Sequence, residues 1–162
     1  MKSSPMKNVI LLLLLFTLAC NQKPKTVIST WIPYDESAEL AKNAAHDSRK
    51  MRYKLIQSKV LDKNDIWRNV SPQIRNFSEE DYQKFKPLIF EQDIPTIQSH
   101  IHSGALTYEA LTQWYLYRIV KYENDKEKSL NVIIDINPYA VREARKRDRN
   151  KSAMDHPLYG MP

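Results

Sequence analysis

The sequence predicts a mostly helical chain that carries a single strand, and three observations predict it. Only two of the 162 residues are glycine, Gly104 and Gly160, where average usage of about 7% would give on the order of eleven. Apolar residues recur at three- and four-residue intervals from Thr107 to Tyr122, the spacing of one helix face. Only one run, Leu130 to Ile136, combines β-branched residues with nearly continuous apolar character. With 42% apolar and 27% charged residues, the chain has the profile of one modest, soluble domain behind a targeting segment.

Residues 1–19 read as a secretory signal. Lys2 and Lys7 form a positive start, Val9 to Phe16 an apolar core, and Thr17-Leu18-Ala19-Cys20 a run of mostly small residues. The apolar stretch is far shorter than the roughly 20 residues needed to span a bilayer. Its ending resembles the lipobox of bacterial lipoproteins, in which the cysteine becomes the first mature residue and is acylated, palmitate being one such chain. Cys20 is thus the lipidation candidate, and residues 20–34 are a tether. Thr17 stands where the lipobox usually has leucine, so cleavage after Ala19 without acylation is the alternative.

Residues 35–92 are expected to form a helical extension. Asp35 to Ser58 predicts a helix with Asp35 or Ser37 as its cap, although Leu40, Ala44, Met51, Leu55 and Ile56 keep helical spacing only loosely. Ser78-Glu79-Glu80-Asp81 has the form of a capping box, followed by Tyr82, Phe85 and Ile89 and ended or kinked by Pro87. From Pro95 a short helix places Ile94, Ile97 and Ile101 on one side and stops at Ser103-Gly104. Thr107 then caps a longer helix whose Tyr108, Leu111, Tyr115, Ile119 and Tyr122 should pack on the core. After the strand, Asn137 as cap and Pro138 at the first position open a last helix that runs to about Lys151. One strand makes no sheet, so Leu130 to Ile136 must pair outside this chain or fray.

The composition excludes several chemistries. Two glycines cannot build a phosphate loop, a dinucleotide fingerprint or a nucleophile elbow, and one cysteine gives no disulfide framework. His46, His100, His102 and His156 lack the i, i+4 spacing of two ligands on one helix face, so no metal is expected. Glu79, Glu80 and Asp81 are explained by helix capping rather than by acid–base work. Net charge +6 and a pI near 9.3 hint at anionic partners. Yet the run Arg142 to Lys151 has no interleaved aromatic residue, which argues for a solvated helix face and against nucleic acid. The aromatics Tyr108, Trp114, Tyr115, Tyr117 and Tyr122 are read as core rather than as a ligand platform.

Five blocks carry a more specific signal. They are Asp93-Ile94-Pro95-Thr96-Ile97-Gln98, Ser103 to Leu111, Tyr115 to Ile119, Leu130 to Pro138 with Ala140 and Ala144 to Asp148, and His156 to Pro162. In order and spacing they resemble the N-terminal part of amidase signature family enzymes, over residues 93–162. The resemblance implies an α/β parent with a mixed sheet covered by helices, of which this chain supplies the mostly helical start and one strand. It implies hydrolysis of carboxamide C–N bonds by a serine nucleophile, a bridging serine behind a cis peptide and a lysine base, without a cofactor. That lysine and the glycine- and serine-rich segment follow the stretch like Leu158 to Pro162 in the family, so none of the 162 residues inherits a catalytic role and the chain alone is expected to be inactive. Tyr159 stands where histidine is common. The expected partners are a membrane through the lipid anchor, the missing C-terminal part of the amidase domain and, for the complete enzyme, a small-molecule or peptide amide. The expected place is the bacterial cell envelope, facing the periplasm or exterior. The alternative is a small lipoprotein adaptor whose basic face meets anionic lipid or acidic partners.

Overall fold

The structure is a computed structural model that describes residues 25–33, 35–52, 62–150, 156 and 158–162. The signal segment, Cys20 and residues 53–58 of the expected first helix lie outside the described residues. Six α-helices are present among those described: α1 (Ser37–Ala44), α2 (Lys63–Ile74), α3 (Glu79–Ile89), α4 (Ile94–His102), α5 (Tyr108–Glu123) and α6 (Ala140–Arg149). None of the described helices is long and apolar enough to cross a membrane.

Helix α5 is the axis of the body and packs against α2, α3 and α6. Its Tyr108, Leu111 and Trp114 are all but fully buried, beside Val70 and Ile74 of α2, Tyr82 and Ile89 of α3, and Ile97 and Ile101 of α4. Tyr82 and Trp114 stack with centroids 5.0 Å apart, and the Trp114 indole N–H donates to the Tyr82 carbonyl at 3.0 Å. A large apolar ring is thus buried without orphaning its one polar atom. The stripe expected from periodicity is only half inside: Tyr115 and Tyr122 are 37% and 38% exposed. The true core contact is broader, because Thr112, Leu116 and Val120 are buried too.

Local start signals fare better. Ser78 and Asp81 form the reciprocal capping box of α3, Thr107 Oγ1 accepts from Ala110 N–H at 3.0 Å, and Gly104 ends α4 in the left-handed region. Pro87 sits in the last turn of α3, which ends two residues later. The first predicted helix is corrected from twenty-odd residues to the eight of α1 and a separate 3₁₀ turn, Arg49–Met51. No residue of α1 is buried, and short helices without a buried face are marginal. Asp35 accepts from Ser37 N–H at 3.0 Å, but the capping position is Glu36. Within the expected helical extension the sequence assigns no individual helix between 59 and 77, yet α2 forms there, capped by Asp62 and burying Ile66, Trp67, Val70 and Ile74.

The predicted strand finds no partner strand among the described residues. Residues 130–136 are extended, but no strand ladder occurs among the described residues. Leu130, Val132 and Ile134 point outward, while Ile133 and Ile136 pack against the core. Asn131 takes a left-handed φ of 59°, which interrupts the extended course. The expected cap and first-position proline of the last helix shift as well. Helix α6 starts at Ala140 with Tyr139 as its cap residue, and Asn137 Oδ1 instead accepts from Tyr139 N–H at 2.8 Å.

Two extended pieces lie on the helices. At one end, Asn64 brackets Trp31, its Oδ1 accepting from Trp31 N–H at 2.9 Å and its Nδ2 donating to Trp31 O at 3.0 Å. Thr26 N–H donates to Arg75 O at 2.9 Å. At the other end the turn 158–160 lies against α4 and α5. A Cβ at Gly160, whose φ is +73°, would stand 2.3 Å from Tyr108 Cε1, so this turn needs glycine for both space and backbone.

Candidate functional site

Residues singled out by sequence serve local structure where the structure describes them. Asp81 closes its capping box, with Ser78 N–H 3.0 Å from its Oδ2. Glu79 accepts from Lys121 Nζ at 2.7 Å and from Tyr117 O–H at 3.1 Å, and Glu80 is exposed. Burial pushes Glu79 up, but the bonds from Lys121, Gln83 and Tyr117 outweigh it and hold the carboxyl below its usual value. The Tyr117 phenol is pushed up to about 12 by burial and by the Glu79 carboxylate. His46 and His156 accept from Ser48 and Leu158 N–H, each at 3.0 Å, and His102 bonds Gln98 O at 2.7 Å. Among the described residues no group of three His, Cys, Asp or Glu side chains could hold a metal ion.

The structure assembles one buried polar cluster that sequence reading missed. Lys63 opens α2, Glu123 closes α5 and Ser129 begins the extended segment; Lys63 and Glu123 are buried. Lys63 Nζ lies 2.9 Å from Glu123 Oε2, 2.8 Å from Glu123 O and 2.5 Å from Ser129 Oγ. Ser129 Oγ donates to Glu123 Oε2 at 3.0 Å, and Asn131 N–H to the same oxygen at 3.1 Å. Burial alone would raise the Glu123 carboxyl, but Lys63, Ser129 and Leu130 N–H outweigh it and hold it below its ordinary value.

A serine beside a lysine suggests nucleophile and base, and the geometry argues otherwise. Three acceptors surround Nζ, which suits an ammonium with three N–H donors and leaves no lone pair for the hydroxyl proton. The cluster therefore works as a latch that ties α2, α5 and the start of the extended segment together. No periodicity could have revealed it, since its members are 60 and 66 positions apart.

A second long-range device fixes α6. Asp148 accepts from Tyr108 N–H at 2.8 Å and Glu109 N–H at 2.9 Å, placing a carboxylate at the positive end of α5. Gln73 Oε1 accepts from Val141 N–H at 3.0 Å and so serves the start of α6, which has no side-chain cap of its own. The basic face of α6 is partly engaged within the body. Arg145 pairs with Glu109 at 2.7 Å, Arg142 stacks on Tyr139 at 4.0 Å, and Arg147 lies 5.3 Å from the Tyr159 ring.

Between α5 and α6 runs a groove of about 430 Å³. Leu116, Ile119, Ile136, Ala144 and Met161 give it an apolar lining, and Thr112, Asn137, Glu143 and Arg147 are among its polar members. Both the end of the extended segment and the turn at Gly160 border it. Among the described residues the groove holds neither a nucleophile paired with a base nor a set of converging donors.

No family model matches the sequence, and no curated protein matches it. Among solved structures the chain is similar to the crystal structure of an amidase family protein from Bacillus anthracis strain Ames, with 31% identity over 64% of this chain and a TM-score of 0.57. The match covers 20% of that protein, so the chain spans about a fifth of its length. The helical body is related to part of an amidase fold.

Proposed function

We propose that these residues form the helical N-terminal part of an amidase-type hydrolase acting on carboxamide C–N bonds, held in the bacterial envelope by acylation of Cys20. The observation that carries this reading is the 31% identity to an amidase family protein over 64% of the chain. In this reading residues 130–136 are a strand of a mixed sheet whose other strands lie outside these 162 residues. The outward Leu130, Val132 and Ile134 suit burial under neighbouring strands or helices. The latch of Lys63, Glu123 and Ser129 would then hold the first residues of that strand against the helices.

The chain alone is expected to hydrolyse no amide. A serine hydroxyl needs a neutral base and aimed oxyanion donors, and neither is assembled among the described residues. The basic-face adaptor rests on less, because Arg142, Arg145 and Arg147, though exposed, already have partners in Tyr139, Glu109 and Tyr159. A chimera in which this chain replaces the matching N-terminal fifth of the Bacillus anthracis protein tests the amidase reading. A soluble chimera that hydrolyses an aryl amide active with the parent supports it; an insoluble or inactive one counts against it. Anchoring is tested separately, since fatty-acid labelling in a bacterial host should mark the wild type and not Cys20→Ser.

A further inference from the structure

Arg118 differs from the paired cations of the body. Lys63, Arg68, Lys121, Lys128 and Arg145 each meet a carboxylate. Arg118, half-buried on α5, meets none among the described residues. Its guanidinium lies 4.9 Å from the Phe90 ring, 5.5 Å from Trp114 and 5.1 Å from Tyr122. Its Nη1 donates to the Tyr82 hydroxyl oxygen at 3.2 Å. A guanidinium has five N–H donors in one plane, and here three aromatic rings lie against it while Nη1 meets the Tyr82 hydroxyl. Lys86, also without a carboxylate among the described residues, lies 5.4 Å from the same Phe90 ring.

We propose that Arg118, walled by Phe90, Trp114 and Tyr122 and sharing the Phe90 ring with Lys86, is a binding site for a phosphate oxyanion. The rings hold the fork in one orientation, so little side-chain freedom remains to be lost when two of its N–H groups meet two phosphate oxygens. Lys86 supplies a second charge, which suits phosphate better than a carboxylate. The exposed Tyr122 ring offers an apolar seat for whatever the phosphate is attached to. The phosphate could be free or could belong to a lipid headgroup, and both present the same oxygens.

The full chain, labelled with nitrogen-15 in a maltoside detergent, is titrated with inorganic phosphate, with phenyl phosphate, and with vesicles of phosphatidylglycerol or of phosphatidylcholine. The Trp114 indole and Arg118 Nε–H resonances should shift saturably with a phosphate ligand and not with sodium chloride at equal ionic strength. Arg118→Gln should abolish saturation, Arg118→Lys should weaken it at least tenfold, and Lys86→Gln should weaken it severalfold. Tyr122→Leu, which keeps the charge and removes one wall, should weaken phenyl phosphate more than inorganic phosphate and guards against misfolding of the Arg118 variants. Saturation by soluble phosphates assigns a free ligand. Saturation only by phosphatidylglycerol vesicles assigns a headgroup. Shifts that follow ionic strength alone, that persist in Arg118→Gln, or that appear with no phosphate source overturn the proposal.

Discussion

Helix α5 and the extended segment 130–136 are both rich in large apolar residues, yet one is buried and the other largely outside. Trp114 and Leu111 are at most 1% exposed, whereas Leu130, Val132 and Ile134 are 78%, 63% and 73% exposed. The difference lies in the backbone. A helix satisfies its own N–H and C=O groups and then needs only a surface for its side chains. An extended segment needs a neighbouring strand for its ladder, and none stands beside 130–136 among the described residues, where Leu130 and Asn131 N–H bond the Glu123 carboxylate instead. Apolar character alone therefore does not place a residue in the core; the hydrogen-bond partner decides.

The largest expected effect that sharpens this contrast is at Trp114. Trp114→Ala opens a cavity against Tyr82 and removes the indole bond to its carbonyl, at an expected cost of about 3–5 kcal/mol. Urea unfolding followed by circular dichroism measures it, and a loss below about 1 kcal/mol would mean that α5 is not the axis of the core.

The latch should rank next. Lys63→Ala leaves Glu123 buried beside Ser129 without its cation, an expected loss of about 3 kcal/mol or more. The double change Lys63→Met with Glu123→Leu should recover part of it. The folded Glu123 carboxyl is held below the ordinary glutamate range. Its contribution is therefore present above that range and is lost as pH falls through the lower folded value. Stability should hold from neutrality down to about the ordinary glutamate range and decline below it, and Glu123→Gln should flatten that acid limb while lowering the neutral plateau. An unchanged acid limb in Glu123→Gln would remove the latch from the account.

Asp148→Ala should cost less, about 1–2 kcal/mol, because it removes a charged cap from two N–H groups at the start of α5. The loss should be salt-sensitive, as helix-dipole effects are. At the bottom of the scale, Ile134→Thr should change the stability of this chain by no more than about 0.5 kcal/mol. In the chimera with the Bacillus anthracis protein the same change should be clearly destabilising, and equal effects in both settings would break the comparison between the two regions.

What the sequence made legible was local. The caps at Ser78 and Thr107 and the stop at Gly104 span four residues or fewer, and each was placed correctly. Helix α2 escaped because Pro72 lies inside it and disguises an otherwise regular row of Ile66, Val70 and Ile74. On α5 the expected stripe put Tyr115 and Tyr122 inside, because a helix buried on several sides has no single apolar face to find. The buried latch and the Asp148 cap join residues about 40 to 66 positions apart, so only packing could bring them together. Asp148 did stand in one of the blocks that resembled amidases, a signal of shared architecture without a hint of its task.

The contact between Gly160 and Tyr108 sets a constraint on how this chain can vary. Position 160 admits no side chain while a full phenol ring occupies position 108. The tyrosine in turn donates its hydroxyl to Gln98 at 3.2 Å, and Gln98 Nε2 reaches back to the Tyr159 carbonyl at 3.1 Å. These positions can drift only in concert. A protein engineer scanning position 160 singly would find nearly every variant impaired. A library that shortens residue 108 at the same time relieves the clash but not the left-handed backbone, so its survivors at 160 should be enriched in asparagine and aspartate.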